Sequence, residues 1–223
     1  FWRGIITAVL NILTRKILIQ EVFLQKKTEL LIKAQKKLQF RKVKPEKKLR
    51  QNLMSQRRQG ERIMPNRILV DTEEGIPVPE WISKVEPFFL KAMDRAGYDG
   101  QEVSILFCSD EFIRKLNSDY RNIDSPTDVL SFENGGTYCD DDGTEWLEAG
   151  DIAVSLETLP KNAEYFDVDC NDELKRLLVH GMLHLNGFDH GEEHVEKGVE
   201  PVCEMLRIQK EILDSLESEK IIG

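Results

Sequence analysis

All four histidines of the chain lie between residues 180 and 194, and three of them read His180-Gly-Met-Leu-His184-Leu-Asn-Gly-Phe-Asp-His190. This spacing leaves few local folds open. Residues four apart on an α-helix sit one turn above each other on the same face. His180 and His184 can therefore turn two imidazoles toward one metal ion. Leu174, Leu177, Leu178, Gly181 and Leu185 form an adjoining apolar stripe along which the same helix can be buried. Gly187, three residues after His184, can stop the helix in a left-handed conformation and turn the chain. The turn brings His190 back as a third ligand.

Three nitrogen ligands leave a coordination position open, as catalytic zinc sites do. A metal held this way activates water or acts as a Lewis acid on a phosphoryl oxygen. The expectation is one zinc ion per chain and a hydrolytic reaction. The competing reading, three ordinary histidines in a helix and turn, suits a lone histidine better than three in ligand register. His194 falls outside the pattern and reads as a surface or ligand-supporting residue. The H-x3-H-x5-H spacing also matches the metzincin proteases, which place a glutamate directly after the first histidine as general base. Gly181 stands there in this chain. The site can hold zinc but lacks that base.

Charge divides the 223 residues in two. Residues 1–63 carry 17 Lys/Arg against 4 Asp/Glu, a net of +13, and residues 64–223 carry a net of −22. The first segment reads as a basic extension, with three origins open. It is a nucleic-acid-attracting arm, a solvated and partly helical appendage, or sequence upstream of a natural start at Met64. The charge reversal and the absence of an initiator Met favour the last, so residues 1–63 are expected to be untranslated or disordered. Residues 64–223 are expected to form the functional domain. Cys108, Cys139, Cys170 and Cys203 include no C-x-x-C pair, and no secretory signal is evident, so they read as reduced thiols of a cytoplasmic protein. The apolar stretch Gly4–Leu13 is about half the length of a membrane span.

Four runs have strand character, namely Arg67–Thr72, Glu102–Cys108, Asp128–Glu133 and Asp151–Leu156. Helical spacing marks Pro79–Ala96, with Gly97 as stop, and a helix through Leu116 with Asp110 as cap. The histidine helix has Asn171 or Asp172 as its cap. A last helix runs from about Val199 to Leu216, with Val202, Leu206, Leu213 and Leu216 toward the core and Pro201 in its first turn. The acidic, Gly-rich Asn134–Gly150 reads as a solvated surface loop. The sum is an α+β fold, a mixed sheet of about four strands with helices packed on it.

His180–His190 resembles the H-G-x-L-H-L-x-G-[YF]-D-H signature of the YbeY family of endoribonucleases, or rRNA maturation factors. Asn117–Phe132, containing Tyr120-Arg121 and Thr127-Asp128-Val129-Leu130-Ser131-Phe132, resembles that family's N-x-x-[YF]-R…T-[DN]-V-L-S-F block. Gly150-Asp151-Ile152 is a weaker third match. The likeness covers residues 66–215, with Glu133 in place of a common proline and the loop after it as an apparent insertion. It implies a zincin-like fold, one zinc on His180, His184 and His190, and Arg121 as a functional cation. The other reading of Arg121 is a salt bridge to Asp119, Asp124 or Asp128. Thr127, Asp128 and Ser131 are expected to shape the cleft.

The resemblance further implies a single-strand-directed endoribonuclease in ribosomal RNA maturation and ribosome quality control. Its partners would be ribosomal RNA, ribosomal proteins or a ribosome-associated GTPase, with no membrane. Arg114, Lys115, Arg121, Lys175 and Arg176 would have to gather near the cleft for an acidic domain to meet RNA. Asp189 is a candidate for orienting a ligand imidazole. Two alternatives stay open, a zinc hydrolase of peptides or small molecules and a ribosome-associated factor with structural zinc.

Overall fold

The computed structural model describes residues 65–191 and 202–223. The expectations for residues 1–63, Met64, His194, Val199 and Pro201 lie outside these residues. Strands β1 (Arg67–Thr72), β2 (Gln101–Cys108), β3 (Val129–Cys139) and β4 (Glu145–Ser155) form one sheet in the order β1-β2-β4-β3. β1, β2 and β4 run parallel, and β3 is antiparallel to β4 at the edge. The helices are α1 (Val85–Ala96), α2 (Asp110–Arg121), α3 (Thr158–Phe166), α4 (Cys170–Leu185) and α5 (Glu204–Ser215), and a short 3-10 turn, Ile82–Lys84, leads into α1. The fold is α+β with a mixed four-stranded sheet. Among the described residues no helix is long and apolar enough to cross a membrane.

Alternation along the strands divides the apolar side chains between two faces. Ile68, Val103, Ile105, Phe107, Ile152 and Val154 join Phe89 and Met93 of α1, Leu177, Leu178 and Met182 of α4 and Met205 of α5 in the main core. A smaller cluster of Cys108, Ile113, Leu130 and Ala153 lies under α2. α4 is the most deeply buried element, with Leu174, Leu177, Leu178, Val179, Met182 and Leu183 all fully enclosed. The helix that carries the histidines is thus clamped along its length.

Four sequence expectations need correction. Asn134–Gly150 is a hairpin arm rather than a loop, because β3 and β4 pair out to Cys139↔Glu145 across an irregularity between Glu133 and Gly136. The arm is tied back to the sheet. Asp140 accepts Trp146 Nε1 at 2.8 Å and an Arg67 guanidinium nitrogen at 3.0 Å, while that guanidinium stacks 4.1 Å over the Trp146 ring. α2 is capped by Ser109, whose hydroxyl accepts Phe112 N–H, and it continues to Arg121. α4 is capped by Asp169, which accepts Asp172 N–H at 2.7 Å, while Asn171 instead holds the backbone of Ile221 at the C-terminus. Val202 is 83% exposed and outside α5, whose buried stripe is Met205, Leu206, Gln209 and Ile212. The strand and helix patterns also omitted α3, a helix that buries only Leu159 and Ala163.

Candidate metal centre

α4 sets two imidazoles on one face, and the turn after it delivers the third. Gly187 ends the descent with φ of +79°, a value glycine adopts without a Cβ clash. The ring centroids of His180 and His184 are 4.6 Å apart, and His190 lies 5.1 and 5.3 Å from them. One nitrogen from each ring can be chosen so that all three lie within 4.8 Å of one another.

The hydrogen bonds settle which nitrogens point inward. His184 Nδ1 lies 3.0 Å from the carbonyl oxygen of Phe188, which can only accept, so that nitrogen carries the proton. His180 Nδ1 lies 2.9 Å from Gln209 Oε1 and donates to it in the same way. A neutral imidazole protonated on Nδ1 has a bare lone pair on Nε2. The Nε2 atoms of His180 and His184 face each other at 3.0 Å. Two lone pairs at that separation repel unless a cation or a proton lies between them. Tetrahedral zinc with Zn–N of about 2.0–2.1 Å would space them by about 3.3 Å, close to what is found. The donor set fits a divalent ion.

The electrostatics agree. Burial lowers the His180 pKa to about 4, with His184 the next cause, and burial followed by His190 lowers that of His184. Both rings are therefore neutral near pH 7 and able to bind a metal without first losing a proton. Arg121 is exposed at the last position of α2. Its charge is the last of the causes that lower the His184 pKa. Of the three carboxylates weighed as salt-bridge partners of Arg121, Asp124 pairs with Arg114 at 2.7 Å and Asp128 with Arg176 at 3.2 Å.

Other expected residues are placed differently. Asp189 Oδ1 accepts the backbone N–H of Gly191, which holds its carboxyl below the usual range. The atoms that meet the imidazole Nδ1 positions are instead the Phe188 carbonyl and Gln209. Gln209 was missed by sequence reasoning, although a lone amide in the stripe Met205, Leu206, Ile212 was a usable signal. Asp128 ties the start of β3 to α3 and α4. One of its oxygens accepts Val129 N–H and the Thr127 hydroxyl, and the other accepts Asn162 and Arg176. Arg176 also grips the fully buried Glu173 with two bonds, and Lys175 is buried against Asp172. Neither cation is free to meet a polyanion.

Position 181 explains itself. A Cβ there would sit 2.9–3.2 Å from three side-chain atoms of Ile152 on the central strand β4. The glycine lets α4 approach the sheet, and the space a protease glutamate would start from is filled.

The family model described as endoribonuclease YbeY matches residues 70–217. A protein named endoribonuclease YbeY from Treponema pallidum (strain Nichols) is 51% identical over 140 residues, covering 63% of this chain and 84% of the relative. One of the same name from Treponema denticola is 50% identical over 130 residues, covering 58% and 80%. The solution structure of TM1509 from Thermotoga maritima aligns with 25% identity and a TM-score of 0.43, over 68% of this chain and 92% of that one. With its family model spanning both the Arg121 segment and the three histidines, the chain belongs to the endoribonuclease YbeY family.

Proposed function

We propose that this chain is a zinc-dependent, single-strand-directed endoribonuclease of ribosomal RNA maturation and ribosome quality control, acting in the cytoplasm. One ion is held by His180, His184 and His190, and Arg121 is the cation that faces the substrate phosphate. The observation that carries this reading is the pair of inward Nε2 atoms at 3.0 Å, both on rings whose Nδ1 is bonded elsewhere. The relatives' shared name, endoribonuclease, supplies the substrate class.

A bound divalent ion supplies Lewis acidity toward a phosphoryl oxygen and toward water. The chain's own residues do the remaining work. Phe188 and Gln209 hold two imidazoles in one tautomer and one orientation, so the ligand field is formed before substrate arrives. The Arg121 fork can donate two parallel hydrogen bonds to a phosphate and stabilise the charge that grows on its oxygens. Hydrolysis forms one bond from water oxygen to phosphorus and breaks one ester P–O bond, and the water proton ends on the departing oxygen. Gly181 closes the route to a protease-type base, which weighs against peptide hydrolysis.

Charge bears on how RNA arrives. Residues 64–223 carry a net of −22, and such a body repels phosphate. Of the five cations expected near the cleft, Arg114, Lys175 and Arg176 are held by carboxylates. Arg121 and Lys115 remain. RNA presented on a ribosomal partner, a ribosomal protein or a ribosome-associated GTPase, overcomes this repulsion better than free RNA.

The test is to measure metal content of the purified chain and cleavage of ribosomal RNA, beside an identically prepared His184→Ala protein. The reading expects about one zinc per chain, with cleavage lost in the variant and with chelator and restored by zinc. Equal cleavage by both proteins would sink it. Zinc binding without cleavage would favour a ribosome-associated factor with structural zinc.

A further inference from the structure

The face of α5 that packs on the main core is apolar except at one position. Met205, Leu206 and Ile212 are buried hydrophobics, and Gln209 among them is only 4% exposed. A buried amide is costly unless its hydrogen bonds are met. The partner it finds is not structural: Gln209 Oε1 lies 2.9 Å from Nδ1 of His180. An amphipathic helix at the far end of the chain thus reaches the metal centre through a single polar atom.

We propose that Gln209 is a positioning residue that locks His180 as its Nδ1–H tautomer and aims Nε2 at the metal. This inference rests on the metal-site reading above and extends it to a residue outside the histidine motif. His184 has the equivalent lock in the Phe188 carbonyl, which comes from its own turn and cannot be altered by a side-chain change. His180 sits mid-helix, where the local carbonyls are spent on the helix, so its lock must come from elsewhere in the fold. α5 provides it.

The choice of amide over carboxylate has a consequence. Metal-ligating histidines commonly donate their second nitrogen to a carboxylate, which adds negative charge to the ligand. Gln209 orients the ring without adding charge. Three neutral imidazoles and a neutral supporting group leave the full double charge of a bound ion to act on a phosphodiester anion. A glutamate at 209 would orient His180 equally well and strengthen it as a ligand, while weakening attraction for the anionic substrate.

The experiment uses the full chain and its Gln209→Leu and Gln209→Glu variants. Zinc affinity is measured by competition with a chromophoric chelator, and the imidazole tautomers of the metal-free proteins by long-range proton–nitrogen NMR. Neither readout involves RNA, so both stand or fall apart from the nuclease reading. In the unmodified chain His180 should show the Nδ1–H pattern. Gln209→Leu should mix the tautomers and weaken zinc binding by about 10- to 100-fold. Gln209→Glu should keep the tautomer and bind zinc at least as tightly as the parent. If the chain cleaves RNA, the glutamate variant should also raise KM more than it lowers kcat. An unchanged tautomer and unchanged affinity in Gln209→Leu would overturn the proposal. Should the leucine variant fail to fold, a glutamate variant that binds zinc more weakly than the parent overturns it instead.

Discussion

The Nε2 atoms of His180 and His184 face each other at 3.0 Å, each on a ring whose other nitrogen donates to an oxygen elsewhere. A divalent ion held between them would bind the folded chain and find no such preformed site in the unfolded one. Zinc should therefore stabilise the folded chain, by about 2.7 kcal/mol when free zinc is a hundredfold above its dissociation constant. Thermal unfolding of chelator-treated chain, with and without added zinc, reads this out. The stabilisation should vanish in His184→Ala, and an equal zinc effect in that variant would place the ion elsewhere.

The same burial makes the metal-free protein sensitive to acid. His180 titrates near 4 in the folded chain and near 6.5 when unfolded. Between those values the unfolded state binds more protons, so stability rises with pH across the window and levels off above it. Acidification from about pH 6.5 toward 4 should cost on the order of 3 kcal/mol from this group. Denaturant midpoints measured in chelator at several pH values check the slope. His180→Gln should flatten it, and a midpoint that rises on acidification would contradict the argument.

The histidine site was legible because its information is local. A four-residue spacing on a helix and a glycine-led turn are periodic features that survive without tertiary context. The strands Arg67–Thr72 and Glu102–Cys108 were legible for the same reason, since alternation of Val103, Ile105 and Phe107 needs no partner to be seen. What escaped depends on distant groups. The hairpin arm carries glycines at 135 and 136 and a run of acids, which dilute its alternation. It is held by Arg67, more than seventy residues earlier than its partners Asp140 and Trp146. Gln209 lies 29 residues beyond His180 in sequence. The cap of α4 was misplaced because Asp169, Asn171 and Asp172 are chemically equivalent candidates. Only the fold shows that Asn171 is occupied by the C-terminus.

Gly181 tests how closely the metal helix must approach the sheet. An alanine Cβ would stand 2.9 Å from Ile152 Cδ1, inside ordinary contact. Both elements are fully packed, so relief requires α4 or the β4 side chain to shift. Gly181→Ala should destabilise the chain by about 1–3 kcal/mol despite alanine's better helix propensity. Pairing it with Ile152→Val should recover part of the loss, because that change removes the closest methyl. Urea unfolding of the two single variants and the double variant measures the coupling. Simple additivity of the two single effects would show that the predicted contact does not govern the cost.

The cysteines should differ sharply in reactivity. Cys108 is fully buried between the sheet and α2, and burial, with Glu73, Asp110 and Glu157 adding, pushes its thiol up to about 12. Cys139 is exposed at the end of β3. Because the thiolate is the reacting form, alkylation at pH 8 should modify Cys139 first and leave Cys108 untouched until the chain unfolds. Peptide mapping after brief iodoacetamide treatment distinguishes them. Early labelling of Cys108 in folded protein would show that the α2 cluster opens on that timescale.

Arg121 offers the sharpest separation of catalysis from folding. It ends α2 in an exposed position, makes no ion pair among the described residues, and still influences His184 through its charge. Its removal should therefore leave stability within about 0.5 kcal/mol of the parent, as for other surface substitutions. Zinc affinity should hold or rise slightly, because a positive neighbour of His184 has gone. Cleavage should suffer instead. Loss of a preorganised donor to a developing oxyanion typically costs about 10²- to 10³-fold in kcat, so Arg121→Ala should fall in that range. Arg121→Lys should recover only part of it, since an ammonium restores charge without the planar fork. Single-turnover cleavage of ribosomal RNA by zinc-loaded protein isolates this step from product release. Full activity in Arg121→Ala would assign the phosphate-facing role to another cation, with Lys115 the next to substitute.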